Sequence, residues 1–174
     1  MTCLNSSLLH CFDETWKTRS VSVRSYHGRL LLRTHHREDT ASLASIYSDP
    51  LSRKHLPFLR PPRGWSKDEQ GNERQQWTEQ DFDDRVKVQN ERRTNGKSCV
   101  FNIILLASAS AEKVDPCIGT TGFVTIDGDV GYLGIIIDPK VPRMGYAPEA
   151  LYTSIVVACA TLGVRRIVIQ TAAR

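Results

Sequence analysis

The stretch Asp138–Leu151, DPKVPRMGYAPEAL, decides how this chain is read. It follows an apolar run, Leu133–Ile137 (LGIII), that stops at Asp138-Pro139. A short basic loop then leads through Gly145 to a helix start. Pro148 suits the first helical turn, where a missing N–H is no loss, and Glu149 complements the positive end of the helix dipole. A strand that feeds a helix N-terminus through such a loop leaves several backbone N–H groups free to face an anion. Taken alone, the same residues also read as an ordinary strand-to-helix connection.

The segments on either side follow from periodicity and turn chemistry. Leu151, Ile155, Ala158 and Leu162 recur at helical spacing and predict a buried stripe, with Gly163 as the C-terminal stop. Arg166–Thr171 reads as a last strand. Upstream, 118–126 and 130–138 flank Asp127-Gly128-Asp129, a hairpin signal. Arg29–Thr34 reads as a short strand. A helix over 38–48 follows, carrying Leu43, Ile46 and Tyr47 and ended by Asp49-Pro50. Residues 57–71, rich in Pro, Arg and Gly, read as a loop. Thr78 is placed to cap a further helix with Glu79 and Asp81 in its first turn, Phe82 and Val86 on one face, and Arg92 and Arg93 near its end. Asn95-Gly96-Lys97-Ser98 contains GKS but lacks the phosphate-loop glycine, since Glu91 stands in its place; it reads as a turn into a strand over 99–107. The order is β-α-α-β-β-β-α-β: an α/β (α+β) fold with a mixed, mostly antiparallel sheet flanked by helices. Residues 1–26 show no sustained periodicity and are expected to form a flexible arm ahead of a domain over 27–174.

The run Ile118–Thr171 resembles the GNAT family of N-acetyltransferases, and in particular its ribosomal-protein-acetyltransferase-like branch. The family pattern of "IGxxGF", a turn, a strand ending near Asp-Pro, and "(R/Q)-G-x-G-Y-A-x-E-A-L" is met at Gly145, Tyr146, Ala147, Glu149, Ala150 and Leu151, and again at Gly163, Arg166 and Ile167. LLLRTHHREDTASLASIYSDP resembles the family's opening strand and first helix, so the likeness spans about residues 29–171. It implies an acyl-CoA N-acyltransferase fold, acetyl-CoA as co-substrate and a primary amine of a small molecule or peptide as acceptor. It also implies that the N–H groups of Arg143, Met144, Gly145, Tyr146 and Ala147 cradle the pyrophosphate, and that the backbone of Ile136 and Ile137 bonds the pantetheine arm.

The departures from that pattern carry expectations too. Pro142 and Arg143 replace the family's Arg or Gln and the first loop glycine; the Arg143 guanidinium can pair with phosphate oxygens directly. Tyr132 occupies a position where many relatives carry a glutamate, and a phenol needs strong tuning to act as a base near neutral pH. As a strand aromatic it reads better as a packing residue, and His35 and His36 read as loop histidines, so no catalytic residue is assigned. The family's last helix and strands have no counterpart before Arg174, which predicts an incomplete N-acetyltransferase domain. Two functions follow: an N-acetyltransferase, or a catalytically impaired remnant that serves as a CoA-binding or interaction module. An apolar last strand left at the sheet edge predicts a homodimer through that strand.

Composition is consistent with this reading. The chain has 174 residues, one domain's worth, 40% hydrophobic and 24% charged. The longest apolar run, Ile155–Ala160, is too short to cross a bilayer, so no membrane partner is expected. A net charge of +4 suits an anionic co-substrate, and no zinc-finger spacing or aromatic-interleaved basic stripe speaks for nucleic acid. The five cysteines (Cys3, Cys11, Cys99, Cys117, Cys159) form no CxxC pair, so no metal site is expected. Cys99 and Cys159 sit in apolar patterns and read as core residues. Unpaired thiols and the absence of a signal-peptide core point to the cytoplasm. Trp65 and Trp77 are candidates for an acceptor wall, though tryptophan is more often a packing anchor.

Overall fold

The computed structural model describes residues 14–170 apart from 55, 57–58, 62–65, 68, 72, 75, 107–114 and 142. Along the chain come a 3-10 turn (Glu14–Lys17), β1 (Ser22–Arg24), β2 (Leu30–Arg33), a second 3-10 turn (Arg37–Asp39), α1 (Thr40–Ser48) and α2 (Pro50–Lys54). A two-residue hairpin, β3 (Ser66–Lys67) and β4 (Glu73–Arg74), precedes α3 (Glu79–Thr94). Then follow β5 (Cys99–Leu105), β6 (Cys117–Asp127), β7 (Val130–Ile137), α4 (Tyr146–Thr161) and β8 (Arg166–Ile169). The main sheet has the order β1-β2-β5-β6-β7-β8; every neighbouring pair is antiparallel except β7 and β8, which are parallel. Both hairpin and helix readings hold, and Thr78 makes a capping box with Asp81.

The sheet has a hydrophobic core on each face. On one side α4 covers Leu30, Leu32, Phe101, Ile103, Phe123 and Leu133; on the other Leu43, Tyr47, Trp77 and Phe82, from α1, α3 and the segment between α2 and α3, cover Ile104 and Cys117. Strand alternation sends successive side chains to these opposite faces, which is why β5 and β6 are buried along nearly their whole length. Gly119 marks a close approach between β6 and β7. A Cβ there would lie 2.0 Å from the Ile136 carbonyl oxygen, and φ is +154°, so glycine is required.

Several expectations need correction. Residues 14–26 are not a loose arm: Trp16, Val21 and Val23 are buried in the core and β1 pairs with β2, because their apolar side chains complete the sheet's outer end. Residues 1–13 lie outside the described set. Asp49-Pro50 ends α1, but Pro50 also opens α2, since a proline is well suited to a first turn and Asp49 Oδ1 accepts from the Leu51 N–H at 2.8 Å. The loop expected over 57–71 contains β3. The face of α4 against the sheet is Ala150, Thr153, Ser154, Val157 and Ala158, with Leu151, Ile155 and Leu162 flanking it; small side chains let the helix approach the strands. Cys159 is consequently exposed, whereas Cys99 and Cys117 are buried and burial pushes both thiols up to about 12. No helix among the described residues is long and apolar enough to cross a membrane, and among them no cluster of metal-ligating side chains occurs.

Candidate functional site

Gly145 is the N-cap of α4 and adopts the left-handed conformation, φ +78° and ψ +21°. That turn lets the chain leave the loop and enter the helix at once, and no side chain caps the first turn. The first carbonyl used inside the helix is that of Gly145, which accepts from the Glu149 N–H at 3.4 Å. Among the described residues the N–H groups of Arg143, Met144, Gly145, Tyr146 and Ala147 donate to no acceptor. Five consecutive free donors thus lie at the positive end of a 16-residue helix, the kind of arrangement that suits an anion. The Arg143 side chain is exposed on the same loop.

A buried ion pair sets the position of this loop. The Glu149 side chain is 1% exposed; its Oε2 accepts from Arg29 Nε at 2.8 Å and lies 2.6 Å from Arg29 Nη2, while Oε1 accepts from the Ser25 hydroxyl. Arg29 Nη1 also donates to the Met144 carbonyl at 2.9 Å, and its guanidinium lies 5.0 Å from the centre of the Tyr146 ring. Burial pushes the Glu149 carboxyl up, but hydrogen bonds from Ser25 and Arg29 and the arginine's charge outweigh it and hold the carboxyl below its ordinary range. Glu149 therefore does more than complement the helix dipole: it ties α4 to the β1–β2 turn. Sequence gives no sign of this, because Arg29 and Ser25 stand 120 and 124 positions away.

Beside the cradle the sheet opens. Among the described residues β7 pairs with β8 only from Val130 to Leu133, whereas it pairs with β6 as far as Ile137. The Asp138 N–H donates to the Ile118 carbonyl at 2.8 Å, so alternation turns the backbone groups of Ile136 toward β6 and those of Ile135 and Ile137 toward the open edge. Of the two residues expected to offer backbone groups, Ile137 has no partner for them among the described residues; Ile135 shares its orientation, whereas Ile136 turns its own toward β6. A cavity of about 840 Å³ runs along this edge, lined by Ile135–Ile137, Leu151 and Val168 on one side and by Tyr47, Leu51, Leu56 and Arg85 on the other. The register shift after Phe123 makes Val124 a bulge that also faces the cavity. Tyr132 lines it as well and is half-buried.

The acid–base candidates divide. His35 does not line the cavity. Its Nδ1 is 3.1 Å from the Asn102 amide nitrogen, its Nε2 is 3.2 Å from Thr40 Oγ1, and its ring lies 5.6 Å from that of Phe82. The same Asn102 nitrogen donates its other hydrogen to Asp39 at 2.7 Å, so it is a donor toward His35 and Nδ1 acts as the acceptor. Burial pushes its pKa below the ordinary value, only partly opposed by the Asp39 and Asp83 carboxylates. His36 is exposed beside Glu38. Trp77 is a packing anchor, 4% exposed and edge-on to Tyr47 at 5.1 Å; Trp65 lies outside the described residues. No Asp, Glu or His lines the cavity among the described residues.

The family model for the acetyltransferase (GNAT) domain matches residues 29–174. The chain belongs to the GNAT acetyltransferase family. No curated protein matches it in sequence. Among solved structures it is similar to a GNAT-family acetyltransferase from Bacillus anthracis, with 21% identity over 86% of this chain and 72% of that one and a TM-score of 0.59. A ribosomal-protein alanine acetyltransferase from Vibrio fischeri shares 16% identity over 86% and 73% of the two chains, with a TM-score of 0.60. RimJ from Mycobacterium smegmatis, solved in complex with CoA-disulfide, shares 18% identity over 88% and 68%, with a TM-score of 0.58. At these identities the likeness is one of fold, and in this GNAT domain the chain from β7 into α4 carries the free N–H cluster and, through Ile135–Ile137, Pro139 and Leu151, part of the cavity wall.

Proposed function

We propose that this GNAT domain is an acetyl-CoA-dependent N-acetyltransferase acting on a primary amine of a small molecule or peptide. The observation that carries the reading is that one run of chain, β7 through its loop into α4, supplies both the free N–H groups at 143–147 and, with Ile135–Ile137, Pro139 and Leu151, part of the cavity wall, where the edge of β7 beyond Leu133 has no partner among the described residues. The cradle suits a pyrophosphate, and the outward N–H and C=O groups of Ile135 and Ile137 suit the amides of a pantetheine arm laid as an extra strand. Acetyl-CoA supplies the activated acyl group. The chain's residues hold it at both ends, exclude water with Leu51, Leu56, Val124 and Ile136, and present the edge N–H groups to the carbonyl oxygen on which charge develops. The amine attacks the carbonyl carbon, the C–S bond breaks, and the amine proton leaves to water or to the departing thiolate.

A second reading rests on one observation: the cavity has no carboxylate or imidazole to take that proton among the described residues, only the phenols of Tyr47 and Tyr132. A CoA-binding module that turns over slowly or not at all would share the cradle and lack the base. Calorimetric titration with acetyl-CoA, desulfo-CoA and ATP tests what both readings share. Saturable binding of the CoA compounds alone is expected, and no binding by folded protein would refute both. Release of CoA thiol on addition of amines then separates them.

A further inference from the structure

Arg85 is the only charged side chain lining the cavity among the described residues, and it has no carboxylate partner there. It projects from α3, half-buried, with its guanidinium carbon 5.4 Å from the centre of the Tyr47 ring and 5.8 Å from that of Trp77. Its Nε is buried and makes no hydrogen bond, and the Ser52 hydroxyl, on the same wall, is also buried without a partner. Tyr47 is itself fixed, its hydroxyl 2.8 Å from Thr120 Oγ1. The ring faces thus hold a planar cation in one orientation while its donors remain unspent, against walls that are otherwise largely apolar.

A buried donor that makes no hydrogen bond in the free protein gains from a ligand that supplies the acceptor. The geometry points to a carboxylate on the acceptor: we infer that Arg85, assisted by Ser52, selects amines that carry a carboxylate. This rests on the acetyltransferase reading and assigns the cavity wall that carries Arg85, Ser52 and Tyr47 to the acceptor. A planar carboxylate matches the guanidinium fork, which an ammonium at the same place would not. Arg85 is a specificity residue in this account and moves no proton.

The test uses matched acceptors: Ala-Glu-Ala amide against Ala-Gln-Ala amide, and β-alanine against β-alaninamide. The intact chain should favour the acidic member of each pair by about ten- to a hundredfold in kcat/KM. Arg85→Gln should level the preference, Arg85→Lys should retain part of it, and both should bind acetyl-CoA as the parent does, which also shows that they fold. Equal use of both members by the parent, or an undiminished preference in Arg85→Gln, overturns the inference. Calorimetry of the N-acetylated acidic tripeptide amide with CoA-loaded protein needs no turnover. Arg85-dependent binding without any acetylation supports this acidic subsite while refuting the acetyltransferase reading, and failure of the acidic product to bind more tightly than its glutamine counterpart refutes the subsite.

Discussion

Replacing Arg29 with methionine tests how the anion cradle is held. The substitution keeps most of the aliphatic stem and removes the contacts of Nε and Nη2 with Glu149 and the bond of Nη1 to the Met144 carbonyl. Glu149 would keep its Ser25 partner and the backbone N–H of residue 29 but lose its counter-charge while remaining 1% exposed. Removing one member of a fully buried pair costs about 3–5 kcal/mol. The Arg29 side chain is 39% exposed, so water screens part of the interaction, and about 2 kcal/mol is the appropriate expectation. In a chain of this size that corresponds to a fall in Tm of roughly 4–8 °C. Freed from Arg29, the Met144 carbonyl no longer fixes the loop, and acetyl-CoA affinity should drop about tenfold, or ~1.4 kcal/mol. Denaturant unfolding and calorimetry measure the two effects. Adding Glu149→Gln to the Arg29→Met chain removes the orphaned charge and should restore roughly 1 kcal/mol. The pH dependence has a definite sign. Glu149 has a depressed pKa in the fold, so its stabilisation is present above the unfolded carboxyl value of about 4.3 and is lost as pH falls through the folded value. Arg29→Met should shrink that acid-side loss. A change under about 0.5 kcal/mol, with unchanged affinity and no rescue by Glu149→Gln, would refute the role assigned to the pair.

Gly145→Val puts a β-branched residue at φ +78°, at a cost of about 1–3 kcal/mol, but its Cβ would meet nothing nearer than Arg29 Nη2 at 3.8 Å. The domain should therefore stay folded while acetyl-CoA binding weakens at least tenfold; unchanged affinity in the titration would sink the cradle assignment. Gly119→Ala should destabilise by about 3 kcal/mol or more, since its Cβ would collide with the backbone of Ile136, and circular dichroism during urea unfolding reads it directly. His35 has a lowered pKa in the fold, so the unfolded chain binds more protons just below its ordinary value of about 6.5 and stability falls as pH drops through that window. Parallel unfolding curves from pH 7.5 to 5 should show this slope in the parent and lose it in His35→Gln. Pairing of two copies through β8, where Ile169 is 56% exposed at the sheet edge, predicts a dimer in sedimentation velocity that Ile169→Lys dissociates; a monomer across the concentration range would exclude it.

Elements governed by short-range rules are legible in the sequence. Asp127-Gly128-Asp129 turns β6 into β7, Thr78 and Asp81 start α3, and Gly163, at φ +68°, follows the end of α4. Each depends on the φ/ψ freedom or side-chain reach of a few adjacent residues, which is why spacing alone reveals it. The same holds for Gly145 and its free N–H groups. The readings that failed concern what lies on top of what. Of the expected α4 stripe Leu151, Ile155, Ala158 and Leu162, only Ala158 is fully buried; the others flank the core, because the helix approaches the sheet through smaller side chains. Trp16, Val21 and Val23 carry no periodicity and yet complete the core.

The residues alone determined the β6–β7 hairpin, the capped start of α3 and the glycine turn that leads from β7 into α4, since those properties reside in neighbouring residues. Tertiary structure decided the rest of the site. Only folding brings Arg29 and Ser25 onto Glu149 and lays the Arg85 guanidinium against Tyr47 and Trp77. Partners more than a hundred positions apart are chosen by sheet register and helix docking, which no local pattern encodes.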